Sequence, residues 1–295
     1  MRNTTDKTLG LFVIRRPSDS AATKARVLRD TQAWAAPIQN FYTAVSYPYW
    51  NVDVRVFPRA LSSSESTLPH IYGQETIEAA LQSGDFEGFD PNYLGAVGGW
   101  NQGFGGHGQV GGNRFVVYDG YGEIVARHEW GHNLGRAHAN TLLDGRIAHY
   151  GDNTAVMGGY PGRGYGFNAV GRWWLGLETD REVIELTESA IINLAPIELL
   201  DFGLRDDEHC VARFKIRGIW YFLSTRKCAN DDRSKGHPLA LPAVYRDKLF
   251  LHKFDRDSIR ILPDLVEGGS HTIGSVTVEY IKYAPERATV EVRIE

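Results

Sequence analysis

The densest chemistry in this 295-residue chain runs from His128 to His138, as HEWGHNLGRAH. On a helix, His128 and His132 are four residues apart and share one face, about one turn apart along the axis. Two imidazoles at that spacing reach one metal ion. Glu129 follows the first histidine and reaches a water on that metal without being a ligand itself. A third ligand on the same face would fall at 135 or 136, which are glycine and arginine. The next histidine is His138. Gly135 can take the left-handed conformation that ends a helix and turns the chain, which returns His138 to the metal. Three neutral imidazoles leave a fourth position for water, the mark of a catalytic rather than a structural zinc site. Zinc lowers the pKa of such a water to about 7. Glu129 then acts as general base and passes the proton to a leaving amine. That pairing suits peptide hydrolysis.

The extended motif resembles the metzincin clan of zinc endopeptidases. The resemblance implies a methionine-containing turn downstream, and Met157 lies in Tyr150-Gly-Asp-Asn-Thr-Ala-Val-Met157-Gly-Gly-Tyr160. Apart from Met1 it is the chain's one methionine. With Phe167-Asn-Ala and Trp174-Leu-Gly176, the order of motifs is similar to the gametolysin family of metalloendopeptidases. Trp220–Arg226 and Ser275–Ile294 resemble the β-rich part that follows that family's catalytic domain. The resemblance implies zinc as cofactor and a protein or glycoprotein substrate of walls or the extracellular matrix. The chain departs from the pattern in places. No propeptide is recognisable, and no cysteine precedes the catalytic helix to serve as a latency switch. Several metzincins carry a tyrosine two residues after the methionine; position 159 is glycine here, so Tyr160 becomes the candidate oxyanion stabiliser, with Tyr150 and Tyr165 as fallbacks. A thermolysin-like site would take its third ligand from a glutamate on a later helix, and His138 speaks against that. The competing reading from another class is a catalytically silent, zinc-stabilised binding or particle-associated structural protein.

These residues need a scaffold. Leu9–Arg15 reads as a buried strand. Residues 18 to about 47 read as one helix, kinked or interrupted at Pro37. Trp50–Pro58 alternates as a half-buried strand. Residues 60–72 read as a Ser-rich loop and Gln74–Leu81 as a short helix. Gly95–Gly112 holds nine glycines and has neither period; it reads either as a flexible surface loop or as the border of a substrate cleft, where a peptide pairs with a sheet edge. His107 within it reads as a loop histidine rather than a fourth ligand, and His149 stands outside the three-histidine pattern. Arg114–Tyr118 reads as a strand, and residues 121–134 as the metal-binding helix.

Beyond residue 179 the texture changes to short β-branched segments separated by turns. The fold expected is therefore an α/β metzincin-like catalytic domain over residues 1–180, with a mixed twisted sheet and the active-site helix. An all-β, sandwich-like C-terminal module over 181–295 follows. Cys210 and Cys228 are either a disulfide or two small buried residues. The net charge of −4 argues against nucleic acid or an anionic membrane as main partner. No apolar run approaches the roughly 18–20 residues of a membrane span. Leu9–Ile14 is too short for a secretory core and is followed by Arg15 and Arg16, so extracellular or particle-associated action would need another delivery route. Localisation and oligomeric state are left open by the sequence.

Overall fold

The computed structural model describes residues 5–62, 91–98, 105–159, 165–179, 181–198, 204–226, 241, 245, 247–255, 257–284 and 287–295. They form a mixed α/β chain with few helices, several sheets and a strand-rich C-terminal region. Residue contacts separate two compact units, one ending at Arg136 and one beginning at Ala137.

The first unit is built on β1 (Thr5–Arg15), whose residues from Leu9 to Arg15 are all buried. A strand buried on both faces is the habit of parallel sheets covered on each side. Helices α1 (Ala21–Gln32) and α2 (Ala35–Ser46) come next, then β2 (Trp50–Val56), β3 (Leu61–Ser62) and β4 (Tyr93–Val97). Strands β5 (Gly106–Gly108) and β6 (Arg114–Val117) precede helix α3 (Glu123–Asn133). The sheet order is β2-β1-β4-β6-β5, with β3 also on β1. All these pairs are parallel except β5–β6, which is antiparallel and places β5 at the end of the order. Phe12, Ile14, Leu94, Ala96 and Val116 pack in one core with Phe57 and Tyr118. On another core, Val13 and Val97 meet Val27 of α1.

The single helix expected from residue 18 to about 47 is two helices. The break falls at Ala33–Trp34, ahead of Pro37. Pro37 lies in the first turn of α2, where a helix has no partner for its N–H groups and a proline costs little. The expected interruption falls four residues before it, at Ala33, whose carbonyl has no N–H to accept from at position 37. The short helix expected over Gln74–Leu81 lies outside the described residues, as do 63–72 of the Ser-rich loop. Residues 61 and 62 of that loop form β3.

The second unit begins with β7 (Ala139–Leu143), β8 (Arg146–Ala148) and helix α4 (Ala169–Trp174). Then follow β9 (Val183–Glu185), β10 (Ala190–Leu194), β11 (Glu208–His209), β12 (Val211–Ile216) and β13 (Ile219–Thr225). The last strands are β14 (Leu249–Asp255), β15 (Asp257–Leu265), β16 (Ser270–Ile273), β17 (Val276–Ala284) and β18 (Arg287–Ile294). They make a five-stranded sheet, β11-β10-β18-β17-β16, and a seven-stranded sheet, β8-β7-β15-β14-β13-β12-β9. One apolar core draws on both: Phe214, Leu223 and Leu251 from the larger sheet, Leu194, Val278 and Val290 from the smaller. The seven-stranded sheet thus includes β7 and β8, which lie well before the change of texture near residue 180. Asn140 Nδ2 adds a hydrogen bond to Asp257 Oδ2 across the parallel β7–β15 pair.

Candidate metal centre

Helix α3 puts its apolar side inward. Val125, Ala126 and Trp130 are buried, and the Trp130 ring lies 4.2 Å from Tyr42 of α2 and 5.8 Å from Tyr93 of β4, centroid to centroid. That packing fixes the helix's rotation about its axis. His128 and His132 therefore project together, their rings 4.8 Å apart and nearly perpendicular.

The helix ends after Asn133, with Leu134 as its last capping residue. Gly135 has φ 92°, in the left-handed region that favours glycine. Its N–H donates to His132 O at 2.8 Å, and Arg136 N–H donates to Gly131 O at 3.0 Å. This pair of backward bonds satisfies the helix's last carbonyls and turns the chain. His138 follows three residues on. The candidate ligand atoms of His128, His132 and His138 lie within 4.8 Å of one another, the one such histidine, cysteine or carboxylate group among the described residues.

The donor set fits a divalent transition metal. His132 Nδ1 donates to Arg136 O at 2.7 Å. A carbonyl oxygen only accepts, so the proton sits on Nδ1 and Nε2 is left as the electron-pair donor. Burial, helped by the neighbouring charge of His128, pushes the His132 pKa down to about 4 against the opposing Arg136 bond. The ring is neutral at physiological pH, the form that ligates metals.

Glu129 is buried, at 6% exposure. Burial pushes its carboxyl up to about 8, and the Gly108 backbone N–H opposes that rise. It faces β5: a Cβ at Gly106 would stand 2.8 Å from Glu129 Oε1, and one at Gly108 2.5 Å from its carbonyl oxygen. The glycine-rich stretch is therefore partly structured. Gly95–Val97 belongs to β4 and Gly106–Gly108 to β5, while 99–104 lie outside the described residues. His107 is exposed on β5, and neither it nor His149 belongs to the three-histidine group.

Met157 is buried, at 2% exposure. Its carbonyl accepts from Ala139 N–H at 2.8 Å, one residue beyond His138. The turn around it is anchored by Asp152, which is fully buried. Asp152 accepts from Thr154 N–H at 3.0 Å, Asn168 Nδ2 at 2.8 Å and His252 Nε2 at 3.1 Å, with Arg260 3.5 Å away. Burial alone would raise its pKa; His252, Arg260 and Thr154 outweigh that and hold the carboxyl well below its ordinary value. Arg226 donates to Thr154 O at 2.6 Å and pairs with Glu198. Asn168 also caps α4 through Gly171 N–H at 2.9 Å, which accounts for the asparagine of Phe167-Asn-Ala.

Of the tyrosines, Tyr160 lies outside the described residues. Tyr165 packs against Leu241 and Phe250 in a small core. The ring of Tyr150 meets that of His138, at 3.8 Å between centroids. Cys210 is buried beneath α4, with its thiol donating to Pro196 O at 3.9 Å; Cys228 lies outside the described residues. Sequence reading overlooked Asn133. Its Nδ2 donates to Gln109 O and Arg114 O, at 3.0 and 2.8 Å, and so staples the helix end to the β5–β6 connection. Its place directly after the second histidine, at a helix end, was the available signal.

No family model and no curated protein matches this chain. Among solved structures it is similar to a chain of "Structure of a chaperone-substrate complex", at TM-score 0.35 and 12% identity. That similarity covers 53% of this chain and 28% of the other, so this chain spans less than a third of that neighbour's length.

Proposed function

We propose that the protein is a zinc-dependent endopeptidase of the metzincin type, similar to the gametolysin family, acting on proteins or glycoproteins. The observation that carries this reading is the convergence of His128, His132 and His138 beside a buried carboxyl at Glu129. The Schellman-type helix end at Gly135 supports it, because that turn is what allows a third histidine so soon after the second. Zinc held by three histidines would supply a Lewis acid and an acidified water.

The chain's own residues would do the rest. Glu129 would take the proton of the attacking water and hand it to the leaving amine. Its buried position and raised proton affinity suit a group that must both accept and release a proton near neutrality; a cation close by would draw that value down. Gly108 N–H would orient the carboxylate. Strand β5, at the end of its sheet order, would offer its outer edge to an extended peptide by strand addition. Gly106 and Gly108 would let that backbone lie close. Met157 would serve as the floor of the site.

The test compares wild type and Glu129→Ala, both loaded with zinc, on casein and on a mixed peptide library. Wild type should cleave, and the variant should lose at least about 100-fold in kcat/KM, as for removal of a general base. Equal cleavage by both proteins would sink it. Zinc-loaded wild type that cuts nothing in either substrate would favour the silent zinc-stabilised protein.

A further inference from the structure

His128 and His132 are set by the helix that carries them. His138 is not: it lies beyond the helix end, one residue before β7. Its imidazole needs another device to hold the ring at one angle. Tyr150 stands at that ring, with centroids 3.8 Å apart and planes inclined by 39°.

The backbone at Tyr150 is unusual. Its φ is 57°, in the left-handed region, where a bulky side chain is rare and unfavourable. Such conformations persist where the surroundings over-determine them, and they concentrate at functional sites. Here the anchors are visible. Tyr150 N–H donates to Asn140 Oδ1 at 3.0 Å, and Asn140 is itself buried and bonded to Asp257. Tyr150 O accepts from Gly159 N–H at 2.5 Å, beyond Met157. Two residues on, Asp152 is locked by Thr154, Asn168 and His252. His138 is tied to the same frame, because the residue after it pairs with Ser258 and donates to Met157 O. Yet the Tyr150 side chain is 45% exposed, so burial of the ring does not account for the strained backbone.

We propose that Tyr150 is a positioning residue for the metal centre: its ring, held by a left-handed backbone, braces the imidazole of His138 at the angle that ligates. The inference rests on the metal reading above and deepens it. The phenol oxygen is not required for bracing; the ring is.

The test uses the full chain and three substitutions. Tyr150→Phe keeps the ring. Tyr150→Gly and Tyr150→Asn remove it, and both replacements tolerate a positive φ. Zinc affinity is measured by competition with a chromophoric chelator, the cobalt-substituted absorption spectrum is recorded, and the metal-free protein is melted. Tyr150→Phe should bind zinc within about threefold of wild type. The Gly and Asn variants should bind about ten- to 100-fold more weakly, the range typical for lost outer supports of a metal ligand. Their cobalt bands should shift, and their metal-free melting temperatures should stay close to wild type, because relief of the left-handed strain offsets the lost ring contact and, for glycine, the greater freedom of the unfolded chain. Wild-type zinc affinity and spectrum in both ring-less variants would overturn the inference and leave the metal reading standing. Weaker binding matched by an equal loss of metal-free stability would also overturn it. Wild type that takes up no zinc would overturn both.

Discussion

A methyl group added at Gly108 would stand 2.5 Å from the Glu129 carbonyl oxygen and 3.1 Å from its Oε2. The first contact is with backbone inside helix α3, so neither side can swing away. Gly108→Ala therefore forces β5 or the helix to move. It should cost about 1–3 kcal/mol in stability, the usual range for over-packing, as read by urea denaturation, and it should shift the pH profile of any peptidase activity by displacing the N–H that Glu129 accepts. A variant within about 0.5 kcal/mol of wild type, with an unchanged profile, would mean that β5 does not press on the helix. At this scale much was legible. His128, Glu129, His132, Gly135 and His138 are local in sequence, and helical geometry plus glycine's freedom are enough to bring the three histidines together. Gly106 and Gly108 were visible as glycines, but the reason for them was not. It is a neighbour about 20 residues away, and no periodicity encodes it.

At the scale of elements, the loop carrying Met157 depends on strands far along the chain. Asp152 is bonded to Asn168, His252 and, through an ion pair, Arg260. Its carboxyl titrates at its ordinary 3.8 in the unfolded chain and lower when folded. Between those values the unfolded chain holds the proton and the folded chain does not, so falling pH favours unfolding. The contribution is complete above about pH 5 and fades as pH drops through 3.8 and below. Asp152→Asn should lose roughly 3–5 kcal/mol at pH 7 and flatten the acid limb of a stability-versus-pH series. An acid limb equally steep in wild type and variant would assign that dependence elsewhere. None of this network was readable beforehand. His252 lies 100 positions from Asp152, and a buried histidine on a strand looks like any other polar residue in a run. The strand β7 was missed for the same reason: Ala139 to Leu142 pair with Ser258 to Ile261, a contact set by tertiary structure. Conversely, β9, β10, β12, β13, β14, β17 and β18 were legible because each carries its own alternation and turn signals, whereas β11, β15 and β16 were not.

At the scale of the whole molecule, the mixed α/β class and the strand-rich C-terminal region follow from texture, and the structure has both. The compact units divide after Arg136, because β7 and β8 join the sheet that also contains β15. Among the described residues no helix is long and apolar enough to cross a membrane. The proposed function puts a zinc ion on His128, His132 and His138. Crystals of the full chain grown with zinc, measured on both sides of the zinc absorption edge, test it most directly. One strong anomalous peak per chain is expected, about 2.0–2.1 Å from one nitrogen of each of the three histidines. A peak elsewhere, or no peak at saturating zinc, would contradict it.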